Sequence, residues 1–249
     1  MIKIRTGEEV ELVRASGRLV AGALDLAGQL LRPGVTTGEV DRQIETYIRD
    51  HGATPEFKGF RGYPAAICAS VNEQVVHGIP GDRVLEEGDI VGIDVGVRKN
   101  GYVGDGARTF GVGEVTEAAS RLMDVTRRSL ELGLAAARDR AHLSDVSHAV
   151  QETAESGGFS VVRQLAGHGV GTELHEPPEI PNFGPAGRGP VLRPGMILAV
   201  EPMINEGGPE VRTLADGWTV VTLDGRLSAH FEHTVAVTAN GVDVMTLSE

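Results

Sequence analysis

One cysteine in 249 residues, Cys68, leaves no partner for an intramolecular disulfide and suits a reducing compartment. Its plain reading is a small buried hydrophobe in a strand. Positive charge is scarce: 23 Lys and Arg stand against 35 Asp and Glu, a formal net charge of -12. That balance speaks against a nucleic-acid phosphate footprint or an anionic membrane surface, and no long basic run rescues either idea. No apolar stretch approaches the ~18 residues of a membrane span, and Met1-Ile2-Lys3-Ile4-Arg5-Thr6 holds no apolar segment of signal-peptide length. Low-complexity segments and linker-like stretches are missing as well, so a single domain spanning 1–249 is expected. The protein is expected to be cytoplasmic, with no membrane and no direct nucleic-acid partner.

What is there begins with two helix signals. Thr6-Gly7-Glu8-Glu9 fits a capping box, and Val10, Val13, Gly17, Val20, Leu24, Ala27 and Leu31 then recur at spacings of three and four until Arg32-Pro33-Gly34. Thr36-Thr37-Gly38-Glu39 opens a second helix that Gly52 stops. A strand is expected over Ala65 to Val71. Helices follow from about Thr116 to Arg138 and from Ser144 to Ser156, then strands at Ser160 to Leu165, Met196 to Ile204, Trp218 to Leu223 and Phe231 to Thr238. The proline-rich stretch Gly171 to Val191 reads as irregular, a fixed rim to a site.

Between these halves, Asp89 to Phe110 reads as two strands joined at Asn100-Gly101, a strong hairpin signal. With those two residues as the turn, Gly96 pairs with Asp105 and Asp94 with Ala107. Alternation places Val91, Ile93, Val95 and Val97 on one face and Asp94 on the other. Asp94 and Asp105 are then diagonal neighbours on a shared face. Two carboxylates so close call for a proton or a cation between them, and the flanking Gly92, Gly96, Gly104 and Gly106 suggest open space for the cation. The alternative is a pair of solvated acids on a half-exposed hairpin.

A repeat favours the cation. Leu85 to Asp94 lines up with Leu192 to Glu201, each with a turn glycine before a strand that ends on an acid, so the chain reads as two related halves, about 1–112 and 113–249. Duplication would bring the two acids together near a pseudo-twofold axis. His168 between glycines and Glu232 in Phe231-Glu232-His233-Thr234 add further donors. Four carboxylates and one imidazole suit a pair of divalent ions better than a structural zinc. A two-metal hydrolase is plausible on the residues alone.

The order His77-Gly78-Ile79-Pro80, Ile93-Asp94-Val95, Gly104-Asp105, Gly167-His168-Gly169-Val170-Gly171, His175-Glu176-Pro177-Pro178, Glu201-Pro202-Met203, Gly217-Trp218-Thr219 and Phe231-Glu232-His233-Thr234 resembles the type I methionine aminopeptidases of bacteria over nearly the whole chain. The resemblance implies an α/β pita-bread fold, two pseudo-twofold related halves with a curved antiparallel sheet covered by helices. It implies that Asp94, Asp105, His168, Glu201 and Glu232 ligate two divalent metal ions, with Asp105 and Glu232 bridging. Cobalt, manganese, iron and zinc all suit that set. Glu201 would also move protons between the attacking water and the leaving amine. His175 would hydrogen-bond substrate and tetrahedral intermediate, while His77 would contact the substrate amine or leaving group.

The methionine slot maps to Phe57, Phe60, Tyr63, Cys68, Leu174 and Trp218, apolar and aromatic as a thioether prefers. Phe57, Phe60 and Leu174 depart from residues common in the family, which bears on the size of the slot. Gly106 departs too, from a Ser or Thr whose hydroxyl could steady Asp105. His51, His142, His148 and His230 match no family role and read as surface or packing residues.

The implied activity is removal of the initiator methionine from nascent polypeptides with a small second residue. Ile2 is large, so Met1 is expected to stay on this chain. The chain looks like a minimal catalytic form without zinc-finger extension, a monomer, and ribosome docking is left open because nothing locates a docking area. The competing readings are a proline-specific (Xaa-Pro) aminopeptidase of the same fold and a non-catalytic pita-bread binding protein.

Overall fold

A computed structural model describes residues 1–248. Helix α1 (Gly7–Leu30) starts where Thr6 Oγ1 accepts from Glu9 N and the Glu9 carboxylate accepts from Thr6 N. Helix α2 (Thr37–Asp50) repeats this reciprocal cap with Thr36 and Glu39, so each box satisfies two otherwise orphaned donors. Helices α3 (Glu117–Ala136) and α4 (Leu143–Ser156) lie within two residues of their expected bounds.

Nine strands form the main sheet: β1 (Thr54–Pro55), β2 (Cys68–Val71), β3 (Ile90–Lys99), β4 (Tyr102–Gly111), β5 (Ala166–Gly169), β6 (Glu176–Pro181), β7 (Ile197–Val200), β8 (Glu232–Thr238) and β9 (Gly241–Val244). Their order is β1-β3-β4-β8-β7-β5-β6, with β2 on β3 and β9 on β8. Every pairing in it is antiparallel. Strands β1 to β4 come from the first half of the sequence and the rest from the second, and the halves meet where β4 pairs with β8. Two three-stranded sheets flank this frame, one of them made by Ser160–Val161, Met203–Asn205 and Ser228–His230.

Helices cover one face. Val91, Ile93, Val95 and Val97 of β3 are fully buried against Leu24, Ile44 and Ile48 of α1 and α2. Leu130, Leu134 and Val146 of α3 and α4 meet Leu198 and Val235 in the second half. Each such side chain contributes ~1.5–3 kcal/mol on burial, so the helix-facing side supplies the stability and leaves the other side for chemistry.

The hairpin has the expected register, Gly96 opposite Asp105 and Asp94 opposite Ala107. Asn100 and Gly101 both have positive φ, 52° and 82°, the backbone of a two-residue primed turn. Three of the four flanking glycines, however, do not leave open space, and only Gly92 would take a Cβ at ordinary contact distance. Gly104 and Gly106 point to the helix face, where a Cβ on Gly104 would stand 2.6 Å from Gly17 N. Gly96 is on the acid face, but its space is filled by the Phe57 ring, 2.6 Å from an ideal Cβ. The glycines let α1 and an aromatic ring approach the hairpin backbone.

Two other expectations are corrected. The stretch Gly171 to Val191 is not wholly irregular, since β6 runs through Pro177, Pro178 and Pro181. It lies at the end of the sheet order, where a missing N–H costs no ladder bond on the open side. The strand expected over Met196 to Ile204 is broken into β7 and Met203–Asn205, because Pro202 cannot donate to a ladder. Among the described residues, no helix is long and apolar enough to cross a membrane.

Replacing Gly104 with Ala should destabilise the protein by about 2 kcal/mol, because the neighbouring atoms belong to helix backbone and cannot swing aside. Urea unfolding checks this, and an unchanged midpoint would contradict the close-approach account.

Candidate metal centre

Five adjacent strands each deliver one donor to the face opposite the helices. Across the sheet they are Asp94 on β3, Asp105 on β4, Glu232 at the start of β8, Glu201 just after β7 and His168 on β5. The break at Pro202 ends β7 and leaves Glu201 at its mouth. Asp105, His168 and Glu232 each offer an atom within 4.8 Å of the others. His168 Nε2 is 3.4 Å from Glu201 Oε1 and 3.7 Å from Asp105 Oδ2.

The local supports are mostly backbone. Thr234 Oγ1 donates to Asp105 O at 2.7 Å and accepts from Asp105 N at 3.0 Å, tying β4 to β8. Gly106 N donates to Asp105 Oδ1 at 3.1 Å. The side-chain position at 106 faces α1, where a Cβ would be 2.9 Å from Val20 Cγ1, so the expected role of a missing hydroxyl in steadying Asp105 gives way to helix packing. His168 Nδ1 is 3.0 Å from Gly169 O. A carbonyl only accepts, so Nδ1 carries the proton and Nε2 presents its lone pair to the acids.

This arrangement is electrostatically costly for the protein atoms alone. Burial raises the Asp94 pKa to about 7. Burial and then Asp94 push Asp105 well up, burial and then Asp105 and Asp94 do so for Glu201, and burial followed by Asp105 raises Glu232. The imidazoles do not compensate, because burial lowers His168 and His77 to about 4 and lowers His175 as well. Asp94 Oδ1 and Glu232 Oε1 are buried with no hydrogen-bond partner. Orphaned carboxylate oxygens, a lone pair facing carboxylates and a hard oxygen-rich donor set all fit divalent cations.

The same cavity, roughly 230 Å³, is walled by Phe57, Phe60, Tyr63, Cys68, Leu174 and Trp218. Tyr63 meets Trp218 edge-on at 5.0 Å, and its hydroxyl lies 2.9 Å from Gly78 O. His77 and His175 line the cavity too, with the His175 ring 4.2 Å from that of His168 and 5.5 Å from Phe60. All the residues singled out in the sequence for metal, proton transfer and methionine therefore converge on one space. Sequence reasoning missed Arg61, Val76, Leu165, Ala166 and Met203 on its wall; only Met203, beside Glu201-Pro202, carried a signal.

His51 and His148 are exposed, as expected. His230 is buried, which agrees with a packing residue. It is 3 % exposed, burial lowers its pKa to about 3, and its Nε2 stands 3.8 Å from Glu201 Oε2. Its place two residues before Glu232 was the available clue.

Comparison with known proteins agrees with this geometry. The profile of Metallopeptidase family M24 matches residues 11–239. The chain belongs to this family. Use of divalent metal ions is thereby a property of the family to which the donor set conforms. Among its relatives, a methionine aminopeptidase of Clostridium perfringens is 51% identical over 99% of this chain and 99% of its own. Methionine aminopeptidase 1 of Bacillus subtilis is 50% identical, with 99% of both chains covered. A crystal structure of a methionine aminopeptidase from Thermotoga maritima superposes with a TM-score of 0.98 at 47% identity over 100% of both chains. A prolidase from Pyrococcus furiosus shares the fold, with a TM-score of 0.80 at 24% identity, covering 99% of this chain and 66% of that one. The architecture is the pita-bread fold of this family.

The raised carboxylates set a pH dependence with a definite sign. A folded pKa near 7 for Asp94, above its ordinary 3.8, contributes stability that is present at low pH and lost as pH rises through 7. Chelated protein should lose up to about 4 kcal/mol from this group between pH 4 and 8. Manganese should protect increasingly as pH rises, and Asp94→Asn should shrink the trend in chelated protein while Asp105, Glu201 and Glu232 keep its sign. Thermal melts of chelated and manganese-loaded protein at pH 5.5, 7 and 8 check this; a constant gap would contradict it.

Proposed function

We propose that this chain is a methionine aminopeptidase that removes the initiator methionine from nascent polypeptides whose second residue is small. The observation that carries the reading is the convergence of the carboxylate cluster and an aromatic, sulfur-compatible slot in one cavity. The activity for which the relatives are named agrees, at 44% to 51% identity across essentially the whole chain.

On this reading the chain works as one catalytic unit. Asp94, Asp105, His168, Glu201 and Glu232 would hold two divalent ions, and Asp105 and Glu232 stand on the central strand pair where the halves meet. Bound there, the ions supply Lewis-acid polarisation of the scissile carbonyl and acidify water. Phe57, Phe60, Tyr63, Cys68, Leu174 and Trp218 would receive the methionine side chain, gaining sulfur to ring contacts and excluding water. The phenylalanine at position 57 reaches over Gly96 beside the acids, so slot and metal centre are fixed relative to one another. Glu201 would accept the proton of the attacking water and deliver it to the leaving amine. Neutral His175 and His77 each have one N–H and one lone pair, and would hold substrate carbonyl and amine groups by hydrogen bonds.

A small second residue follows if the wall past the scissile bond is tight, because added methylenes in a packed site are penalised by strain. Nascent chain N-termini are the substrates on this reading.

The test is release of methionine from Met-Ala-Ser, Met-Ile-Ser and a Gly-Pro-Ala control by chelated enzyme with and without added manganese or cobalt. Metal-restored cleavage of Met-Ala-Ser alone is expected, and Glu201→Gln should lower kcat by at least a hundredfold. Cleavage of Gly-Pro-Ala alone would move the assignment to a proline-specific peptidase. No cleavage with metal bound would point to a binding protein.

A further inference from the structure

Glu201 divides its two oxygens between two imidazoles. Oε1 stands 3.4 Å from His168 Nε2 and Oε2 stands 3.8 Å from His230 Nε2. The two contacts differ in kind. His168 Nδ1 bonds a carbonyl, so its Nε2 bears a lone pair, and with the carboxylate Oε1 it forms an electron-rich pair that a cation would join. On the other side, His230 Nε2 is buried and has no hydrogen-bond partner at all. A buried nitrogen left unpaired is unfavourable, and Glu201 Oε2, 3.8 Å away, is an acceptor poised beside it.

Both residues are anchored so that this approach is built in. The Thr109 hydroxyl donates to His230 O at 2.8 Å and accepts from His230 N at 2.9 Å, fixing the backbone that aims the ring. His230 is paired with Met203, two residues beyond Glu201. Glu201 O accepts from Asn182 Nδ2 at 3.0 Å.

We propose that His230 is a positioning residue of the metal centre, its Nε2–H donating to Glu201 Oε2 so that Oε1 faces the metal beside His168. The inference rests on Glu201 being a ligand, and extends it to a group outside the ligand set. A donor on the outer oxygen fixes the carboxylate's orientation, as partners of ligating carboxylates commonly do.

Two variants separate this role from packing. His230→Leu keeps apolar volume but removes the donor, whereas His230→Gln retains an N–H₂ on a side chain of similar reach. Calorimetric manganese titration should show Leu weakening binding roughly 10- to 100-fold, with Gln recovering most of it. With Met-Ala-Ser, Leu should lower kcat and leave KM little changed. In native protein loaded with zinc, nitrogen-15 NMR should find His230 as the Nε2–H tautomer. Leu binding metal as tightly as native protein, Leu and Gln impaired alike, or an Nδ1–H tautomer would each overturn the proposal. The tautomer decides the matter on native protein if Leu does not fold. Titration and tautomer require no peptide, so a chain that satisfies both yet leaves Met-Ala-Ser intact fails as a methionine aminopeptidase without failing here.

Discussion

Two like charges 4 Å apart repel by about 4 kcal/mol at the effective dielectric of a protein site, and this fold holds Asp94, Asp105, Glu201 and Glu232 around one buried space. Among the described residues no Lys or Arg is seen paired with them, and the imidazoles beside them are kept neutral by burial. A chain can sustain that only if its scaffold is stable without help from the site. Here the opposite face of the same strands is packed against α1 to α4, through valines and leucines that are fully buried. Period-two alternation along β3 thus separates stability from chemistry: odd positions hold the sheet to the helices and Asp94 faces the cavity.

The constraint also explains the backbone details. Gly104 lets the α1 backbone come against β4 next to Asp105. Thr234 crosses from β8 to bond both backbone groups of Asp105, fastening the halves beside the acids. Pro202 ends a strand at the residue that must project. Each is a local choice that costs ladder bonds or side-chain contacts, and each positions an acid.

Much of this was legible in the sequence, unevenly. Hairpin register followed from Asn100-Gly101, and helix starts followed from the two Thr-x-x-Glu boxes, because such signals are local. The meeting of Asp94 with Glu201 was inferred from a repeat, and the methionine slot only from family resemblance, since Phe57 and Trp218 are far apart in the chain and no spacing rule joins them. What eluded the sequence was depth and direction. Alternation alone puts Gly104 and Gly106 on the helix face, yet the packing they accept depends on Gly17 and Val20 from another element. Likewise β6 was hidden because proline is usually read as a breaker, and an edge position is a tertiary fact. His230 looked ordinary because burial and the approach to Glu201 are visible only in three dimensions.

The central claim is that cations hold this cluster of acids together. Crystals of the protein soaked in manganese, with anomalous diffraction recorded, test it most directly. Anomalous density among Asp94, Asp105, His168, Glu201 and Glu232, within ligand distance of Asp105 or Glu232, is the predicted result. Saturating manganese that gives no peak among these side chains, or a peak that touches neither Asp105 nor Glu232, would contradict it.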